Sequence, residues 1–167
     1  MLNKENIASF NEPYLAAHKQ KLNFLGENLS KKNLDLNTIL NKLSDFQIAI
    51  PSWALGTGGT RFGRFPQGGE PNTLEEKIKD VGLLHALNQS SGAISLHIPW
   101  DIPGDSKKMK SLAQELDINF DAVNSNTFQD EPGGAHSYKF GSLSHIDKAV
   151  RKKAIQHNKE VIDHGIK

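Results

Sequence analysis

Three groups of residues in this sequence could bind or act on a small polar ligand. Trp53 ends an apolar run, His97 lies near the end of a second run with Trp100 just beyond it, and Asn124 to Phe128 stand at the end of a third. An imidazole can exchange a proton near neutral pH. Aromatic rings can cover the flat C–H faces of a sugar while a few polar groups bind its hydroxyls. The residues therefore predict the walls of a small-ligand pocket, although a lone histidine is more often a core residue, and Asn and Ser also favour turns.

A glycine-rich segment, GTGGTRFGRFPQGGEP, occupies residues 56–71. A dinucleotide-binding motif starting at Gly56 would need glycine where Arg61 stands. A P-loop ending at Gly63 would need Lys and then Ser or Thr, but Arg64 and Phe65 follow. The spacing disfavours nucleotide binding. A surface loop whose aromatic residues fold back onto their own core remains open.

The remaining histidines do not predict a metal site. His157 and His164 are two helical turns apart, which is about 10.5 Å of rise. One metal ion binds each nitrogen at about 2 Å, so the two cannot share it, and we expect both to be surface residues. The sequence has no cysteine, no H-E-x-x-H and no G-x-S-x-G motif, so these residues indicate pocket walls without an evident catalytic group.

The elements that must position these residues alternate between apolar runs and helical patterns. The first 45 residues predict helices, including one capped by Asp35 with a Leu36, Ile39, Leu40 and Leu43 stripe. Apolar runs at 46–53, 93–98 and 118–124 each precede a helical pattern. We expect those helices at about 73–89, where Thr73 begins a capping box, from about Ser106, and at about 146–164.

This alternation predicts an α/β protein with a parallel sheet. The nearly continuous apolar runs predict strands buried on both faces, and ligands of such sheets bind at the carboxyl ends of the strands. We expect a helical segment over 1–45 and a βα portion over 46–167. A net charge of +1 with no basic block predicts no nucleic-acid or membrane partner. The absence of a signal peptide or long apolar segment predicts a cytoplasmic protein.

Three long segments resemble the N-terminal part of L-rhamnose isomerase, in its bacterial branch of broad aldose–ketose specificity. They read IPSWALGTGGTRFGRFPQGGEP, SLHIPWD and FDAVNSNTFQDEPGGAHSYKFGSLSH. The resemblance implies a (β/α)8 TIM barrel, a homotetramer and a divalent metal, typically Mn2+. It assigns to this chain the N-terminal helices and the first three βα units of the barrel. The barrel would be incomplete here, as in a truncated product or a partial sequence.

The resemblance also implies residue roles. Trp53, His97, Trp100 and Phe128 would line the sugar pocket, and Phe62 would extend towards the active site of a neighbouring subunit. His97 would hydrogen-bond the ring or terminal oxygen of the sugar and assist ring opening. The metal ligands would come from later strands, with none in this chain.

The function that we expect is therefore part of an L-rhamnose to L-rhamnulose isomerase. The resemblance implies a metal-assisted hydride shift between C1 and C2. We expect the chain to be inactive on its own. The alternative is a non-catalytic α/β binding or interaction module, and a phosphate-binding domain ranks third.

Overall fold

The computed structural model describes residues 3–56, 59–60, 63–64, 68–130 and 133–167. Two short 3-10 turns, Glu12–Tyr14 and Ser52–Ala54, interrupt the regular elements. In chain order those elements are α1 Lys4–Asn11, α2 Leu15–Ser30, α3 Leu36–Ser44, β1 Ala49–Pro51, β2 Gly59–Thr60, β3 Gly63–Arg64, α4 Leu74–Asn88, β4 Ala93–Ile98, α5 Ser106–Glu115, β5 Asn119–Ser125 and α6 Lys148–Ile166.

The main sheet confirms the predicted α/β class. It has three parallel strands in the order β1-β4-β5, with Ala49 opposite Ala93 and Ala93 opposite Asn119. Parallel neighbours require crossover connections, and α4 and α5 supply them. Strands β2 and β3 form a separate antiparallel pair in which Gly59 lies opposite Arg64.

Helix α4 begins and ends where the sequence predicts. The Thr73 hydroxyl accepts from the Glu76 backbone N–H, and the Glu76 carboxylate accepts from the Thr73 N–H, which completes the predicted capping box. The helix ends at Gln89, whose φ of 56° lies in the left-handed region. Because both ends are defined locally, the apolar face of α4 is fixed in register with the sheet.

The core lies between the sheet and the two crossover helices. Ile94 and Leu96 point from β4 towards α4 and α5 and are almost fully buried. They pack against apolar side chains of both helices and of the segment before β5, namely Leu74, Ile78, Val81, Met109, Ala113 and Ile118. The central strand is therefore held by helix packing on one face, which leaves its carboxyl end free to carry a site.

Two expectations about the strands are wrong. The run at 46–53 contains only a three-residue strand, β1, and then turns. Strand β5 is largely exposed, in contrast to the buried β4. The physical reason is position: β4 is paired on both sides, whereas β5 is an edge strand among the described residues.

The N-terminal helices form as predicted, and the Asp35 carboxylate caps α3 by accepting from the Thr38 N–H at 2.7 Å. None of α1, α2 and α3 contributes a buried residue. Their separation from the βα portion at residue 45 stays a prediction. Helix α6 begins at Lys148, close to the expected start near 146, and buries Val150, Ala154 and Val161, whereas Ile146 lies before the helix and is exposed.

No helix within the described ranges combines the length and the apolar character that crossing a membrane requires.

Candidate functional site

The candidate site lies where the three parallel strands end. Strand β1 leads into the turn that carries Trp53, and β4 ends one residue after His97. Trp100 follows two residues after β4, and Phe128 follows three residues after β5. Because the strands are parallel neighbours, their carboxyl ends meet at one edge of the sheet.

The structure brings the rings of these residues together around His97. The ring centroid of His97 lies 5.3 Å from that of Trp53, 4.7 Å from that of Trp100 and 5.7 Å from that of Phe128. Both tryptophans meet the imidazole edge-on, and Phe128 is stacked on it. We call Trp53, Trp100 and Phe128 the aromatic wall. These three residues are 38%, 39% and 55% exposed, so they offer apolar surface to a ligand.

His97 is suited to hydrogen bonding as a neutral imidazole. Its Nε2 atom is buried and has no hydrogen-bond partner among the residues that the structure describes. Burial lowers the pKa of His97 below its usual value, although the nearby Asp101 carboxylate opposes the shift, and His157 and Lys77 add to it. A neutral imidazole has one nitrogen that donates and one that accepts. A ligand hydroxyl, which both donates and accepts, could pair with Nε2 in either tautomer once a ring that covers this buried atom moves aside.

A buried carboxylate, Asp101, lies beneath the wall. It has no exposed surface and accepts hydrogen bonds from Ser52 Oγ, Lys77 Nζ and the backbone N–H of His97. The distances to the carboxylate oxygens are 2.7 Å from Lys77 Nζ and 2.7 Å from the backbone nitrogen of His97. These contacts join the ends of β1 and β4 to helix α4.

Lys77 is a site residue that the sequence analysis missed, although its position on helix α4 indicates that it is buried. Leu74, Lys77, Ile78 and Val81 follow the i, i+3, i+4, i+7 pattern of a buried helix face, so a lysine occupies a core position. Lysine is rarely buried without a partner. The position itself indicates a buried anion nearby, and the carboxylate of Asp101 is that anion.

The third strand end is held by His157 of α6. The Nε2 atom of His157 accepts a hydrogen bond from the Asn126 N–H at 3.0 Å. The side-chain amide of Asn126 closes a turn by bonding the backbone N–H and C=O of Gln129, and Phe128 lies within that turn. The expectation that His157 is a surface residue is therefore wrong, because it is half-buried and contacts the strand end.

Two predicted site residues remain, Asn124 and Phe62. Asn124 is exposed and lies opposite His97 in the strand register, so it borders the wall. Phe62 lies outside the described residues, and its role towards a neighbouring subunit stays a prediction.

Among the described residues, no group of three or more His, Asp or Glu side chains could hold a metal ion. The site in these ranges therefore consists of one imidazole, three aromatic rings and the polar groups that support them.

Together, the fold and the site define an α/β protein with an aromatic-lined site at the carboxyl ends of its parallel strands. No known protein-family profile matches the chain. It is similar to a "probable sugar isomerase" of Rhizobium meliloti, with 48% identity over 141 residues, which cover 84% of this chain and 33% of the relative. A "probable sugar isomerase" of Mesorhizobium japonicum is 47% identical over 141 residues, again 84% of this chain and 33% of the relative. The chain thus spans about a third of the length of these relatives.

Proposed function

We propose that this chain forms the aromatic, sugar-contacting part of an aldose–ketose isomerase, with L-rhamnose and L-rhamnulose as its substrate and product. The relatives' names support sugar isomerisation in general. The choice of L-rhamnose depends on the resemblance of the three strand-end segments. The (β/α)8 barrel, the cytoplasmic location and the homotetramer belong to the same proposal.

The observation that carries the proposal is the cluster of three rings around His97. Ring contacts at 4.7 to 5.7 Å border the imidazole with apolar surface. Within the described ranges its buried Nε2 has no hydrogen-bond partner. A sugar offers both an apolar C–H face and hydroxyl oxygens. Packing of that face on the rings and a hydrogen bond to Nε2 would satisfy both parts of the site.

In this proposal His97 binds the ring or terminal oxygen of the sugar. Its lowered pKa favours the neutral imidazole at neutral pH, which can donate to the ring oxygen or accept from a terminal hydroxyl. Such contact would assist opening of the sugar ring, which must precede isomerisation of the open chain. Exclusion of water by the aromatic wall would suit a hydride shift between C1 and C2.

A divalent metal, Mn2+ in this proposal, would polarise the carbonyl and hydroxyl oxygens as a Lewis acid. The part of the chain that the structure describes has no donor set that fits it. We therefore derive no step through the metal from these residues.

A titration of the 167-residue chain with L-rhamnose, followed by tryptophan fluorescence, tests the proposal. The chain has two tryptophans, and both belong to the wall, so the emission reports this site directly. We expect a saturable change in emission with a dissociation constant on the order of millimolar. Glycerol, which has hydroxyls but no sugar ring, serves as the control ligand.

Matched variants identify the binding surface. Phe128→Leu should weaken the binding of L-rhamnose because it removes the ring stacked on His97. Phe140→Leu, at an exposed phenylalanine outside the wall, should not. An emission that does not saturate with L-rhamnose, or that responds equally to glycerol, contradicts the proposal.

A second candidate, a non-catalytic interaction module, is favoured by the exposed apolar side chains at the N-terminal helices. Phe24, Leu43 and Phe46 are each more than 60% exposed, at 67%, 64% and 68%. Patches of such residues are typical of surfaces that contact another protein. Sedimentation equilibrium of the chain with and without Phe24→Ser and Leu43→Ser tests this reading. A monomer at all concentrations contradicts self-association through these helices.

A further inference from the structure

We propose that Asp101, paired with Lys77, is a positioning residue for the aromatic wall: it fixes the two strand ends that carry the tryptophans against helix α4. The inference rests on the proposed function, since the wall has a purpose only if it binds a sugar. Asp101 itself has no exposed surface, so it acts through the residues around it.

The partners of Asp101 are the immediate neighbours of the wall. Ser52, whose hydroxyl donates to Asp101, directly precedes Trp53 in the chain. Asp101 directly follows Trp100, and it also accepts a hydrogen bond from the backbone N–H of His97. The Asp101 N–H also donates to the His97 carbonyl oxygen at 3.0 Å, which closes the turn after β4. Asp101 is thus the residue after Trp100, it accepts a hydrogen bond from the residue before Trp53, and it is directly hydrogen-bonded to the backbone of His97.

The ionised form of Asp101 fits its surroundings. An ionised carboxylate only accepts hydrogen bonds. Three donors converge on it: Lys77 Nζ on Oδ1, with Ser52 Oγ and the His97 N–H on Oδ2. A protonated or amide side chain would present a donor of its own to this set. The geometry therefore depends on the charge of the group as well as on its shape.

Lys77 is confined to this arrangement by the loop after β1. A Cβ atom added at Gly56 would lie 2.9 Å from Lys77 Cε and 2.5 Å from the Pro71 carbonyl oxygen. The backbone of Gly56 therefore packs on the lysine side chain, which is 9% exposed, and directs the ammonium group at Asp101. The helix, the loop after β1 and the end of β4 meet at this ion pair.

Stability alone is a poor explanation for such a pair. Replacing a buried ion pair with apolar residues of similar volume is often neutral or stabilising, whereas removing one partner leaves an uncompensated charge. If the Lys77–Asp101 pair orients Trp53, His97 and Trp100, its place beneath an aromatic site is explained. A purely structural role predicts a change in stability alone, whereas a positioning role also predicts a change in the environment of the tryptophans in a folded variant.

The experiment compares variants of the 167-residue chain by tryptophan emission, acrylamide quenching, far-UV circular dichroism and L-rhamnose titration. Lys77→Met and Asp101→Asn each leave one buried partner and are expected to unfold more readily. The double variant Lys77→Met/Asp101→Asn removes both charges, and Ser52→Ala removes only one hydrogen bond. Lys77→Arg keeps the charge as a conservative rescue, and Lys79→Met removes an exposed ion pair with Glu75 on the same helix as the control.

We expect Ser52→Ala and the double variant to keep the wild-type circular dichroism while their tryptophan emission shifts and quenching by acrylamide increases. Their dissociation constant for L-rhamnose should rise on the order of tenfold. Lys77→Arg should shift the emission less than Lys77→Met, and Lys79→Met should leave it unchanged.

Two outcomes separate this inference from the proposed function. A folded double variant with wild-type emission and quenching overturns the positioning role, whether or not the sugar binds. A wild-type chain that does not bind L-rhamnose, but whose emission shifts in the double variant as expected, supports the positioning role and overturns only the choice of ligand.

Discussion

The backbone N–H of Asn126 donates to the imidazole Nε2 of His157 at 3.0 Å, so a residue of helix α6 contacts the chain directly after the third strand. Asn126 is 3% exposed, and the Asn126 N–H also approaches the Ile98 carbonyl oxygen at 3.2 Å. This contact links α6 to the turn that carries Phe128, and so to the ring stacked on His97.

Removing the imidazole of His157 should therefore loosen the wall. We expect His157→Leu to lower the free energy of unfolding by about 1 kcal/mol, the usual loss when a hydrogen-bond partner is removed, and to weaken L-rhamnose binding. Urea denaturation and the fluorescence titration measure the two effects. His157→Gln, whose amide oxygen can accept, should restore part of both. Equal effects of His164→Leu, seven residues further along α6, would contradict a specific contact.

The lowered pKa of His97 predicts a pH dependence of stability. The unfolded imidazole titrates near 6.5 and the folded one below that value, chiefly because burial disfavours the charged form. Since the unfolded chain binds more protons in this window, the stabilising contribution is complete above pH 6.5 and is lost as the pH falls through the folded pKa. NMR titration of the histidine ring protons should give a midpoint for His97 below 6.5. A midpoint at or above 6.5, or the same pH dependence in His97→Phe, contradicts this.

The arrangement of the wall follows from local patterns, whereas its support does not. Trp53, His97 and Trp100 follow apolar runs, and the rule that parallel strands end at one edge is enough to bring them together. The Lys77–Asp101 pair spans 24 residues of sequence, and the Asn126–His157 contact spans 31. The periodicity of α4 places Lys77 at a core position, but it does not identify which carboxylate pairs with the lysine, and no local pattern indicates the Asn126–His157 contact. The exposure of β5 was also unpredictable, because an apolar run does not reveal which strand is central and which lies at an edge.

The two predicted helix caps should differ in their effect on the core. Thr73→Ala removes half of the capping box of α4, which buries Leu74, Ile78 and Val81, and should destabilise the chain by about 1 kcal/mol. Asp35→Ala removes an equally well-formed cap of α3, which buries no residue, and should leave the unfolding of the core unchanged. Thermal and urea unfolding followed by circular dichroism compare them. Equal losses would show that α3 is part of the same cooperative unit.

At Gly82, helix α4 closely approaches Leu116, the residue that follows α5. A Cβ atom there would lie 2.8 Å from Leu116 Cδ1 and 3.0 Å from Leu116 Cβ. Gly82→Ala should therefore destabilise the chain, even though alanine favours a helix by about 1 kcal/mol over glycine. In a Leu116→Ala background, which lacks Cγ and Cδ1 and keeps only Cβ at 3.0 Å, Gly82→Ala should cost less than it does in the wild-type chain. A stabilised Gly82→Ala, measured by urea denaturation, would contradict the close packing.

The last prediction concerns turnover by the 167-residue chain itself. Moving a hydride between C1 and C2 requires a group that polarises both oxygens, and within the described ranges the site offers one imidazole without a metal-binding cluster. We therefore expect sugar binding without conversion: L-rhamnose incubated with the chain and manganese should yield no L-rhamnulose above the protein-free background, as measured by NMR. The fluorescence titration on the same sample is the control, because it shows that the wall is folded when turnover is absent. Conversion that requires manganese and disappears in His97→Ala would prove this prediction wrong, and would place a complete catalytic site within this chain.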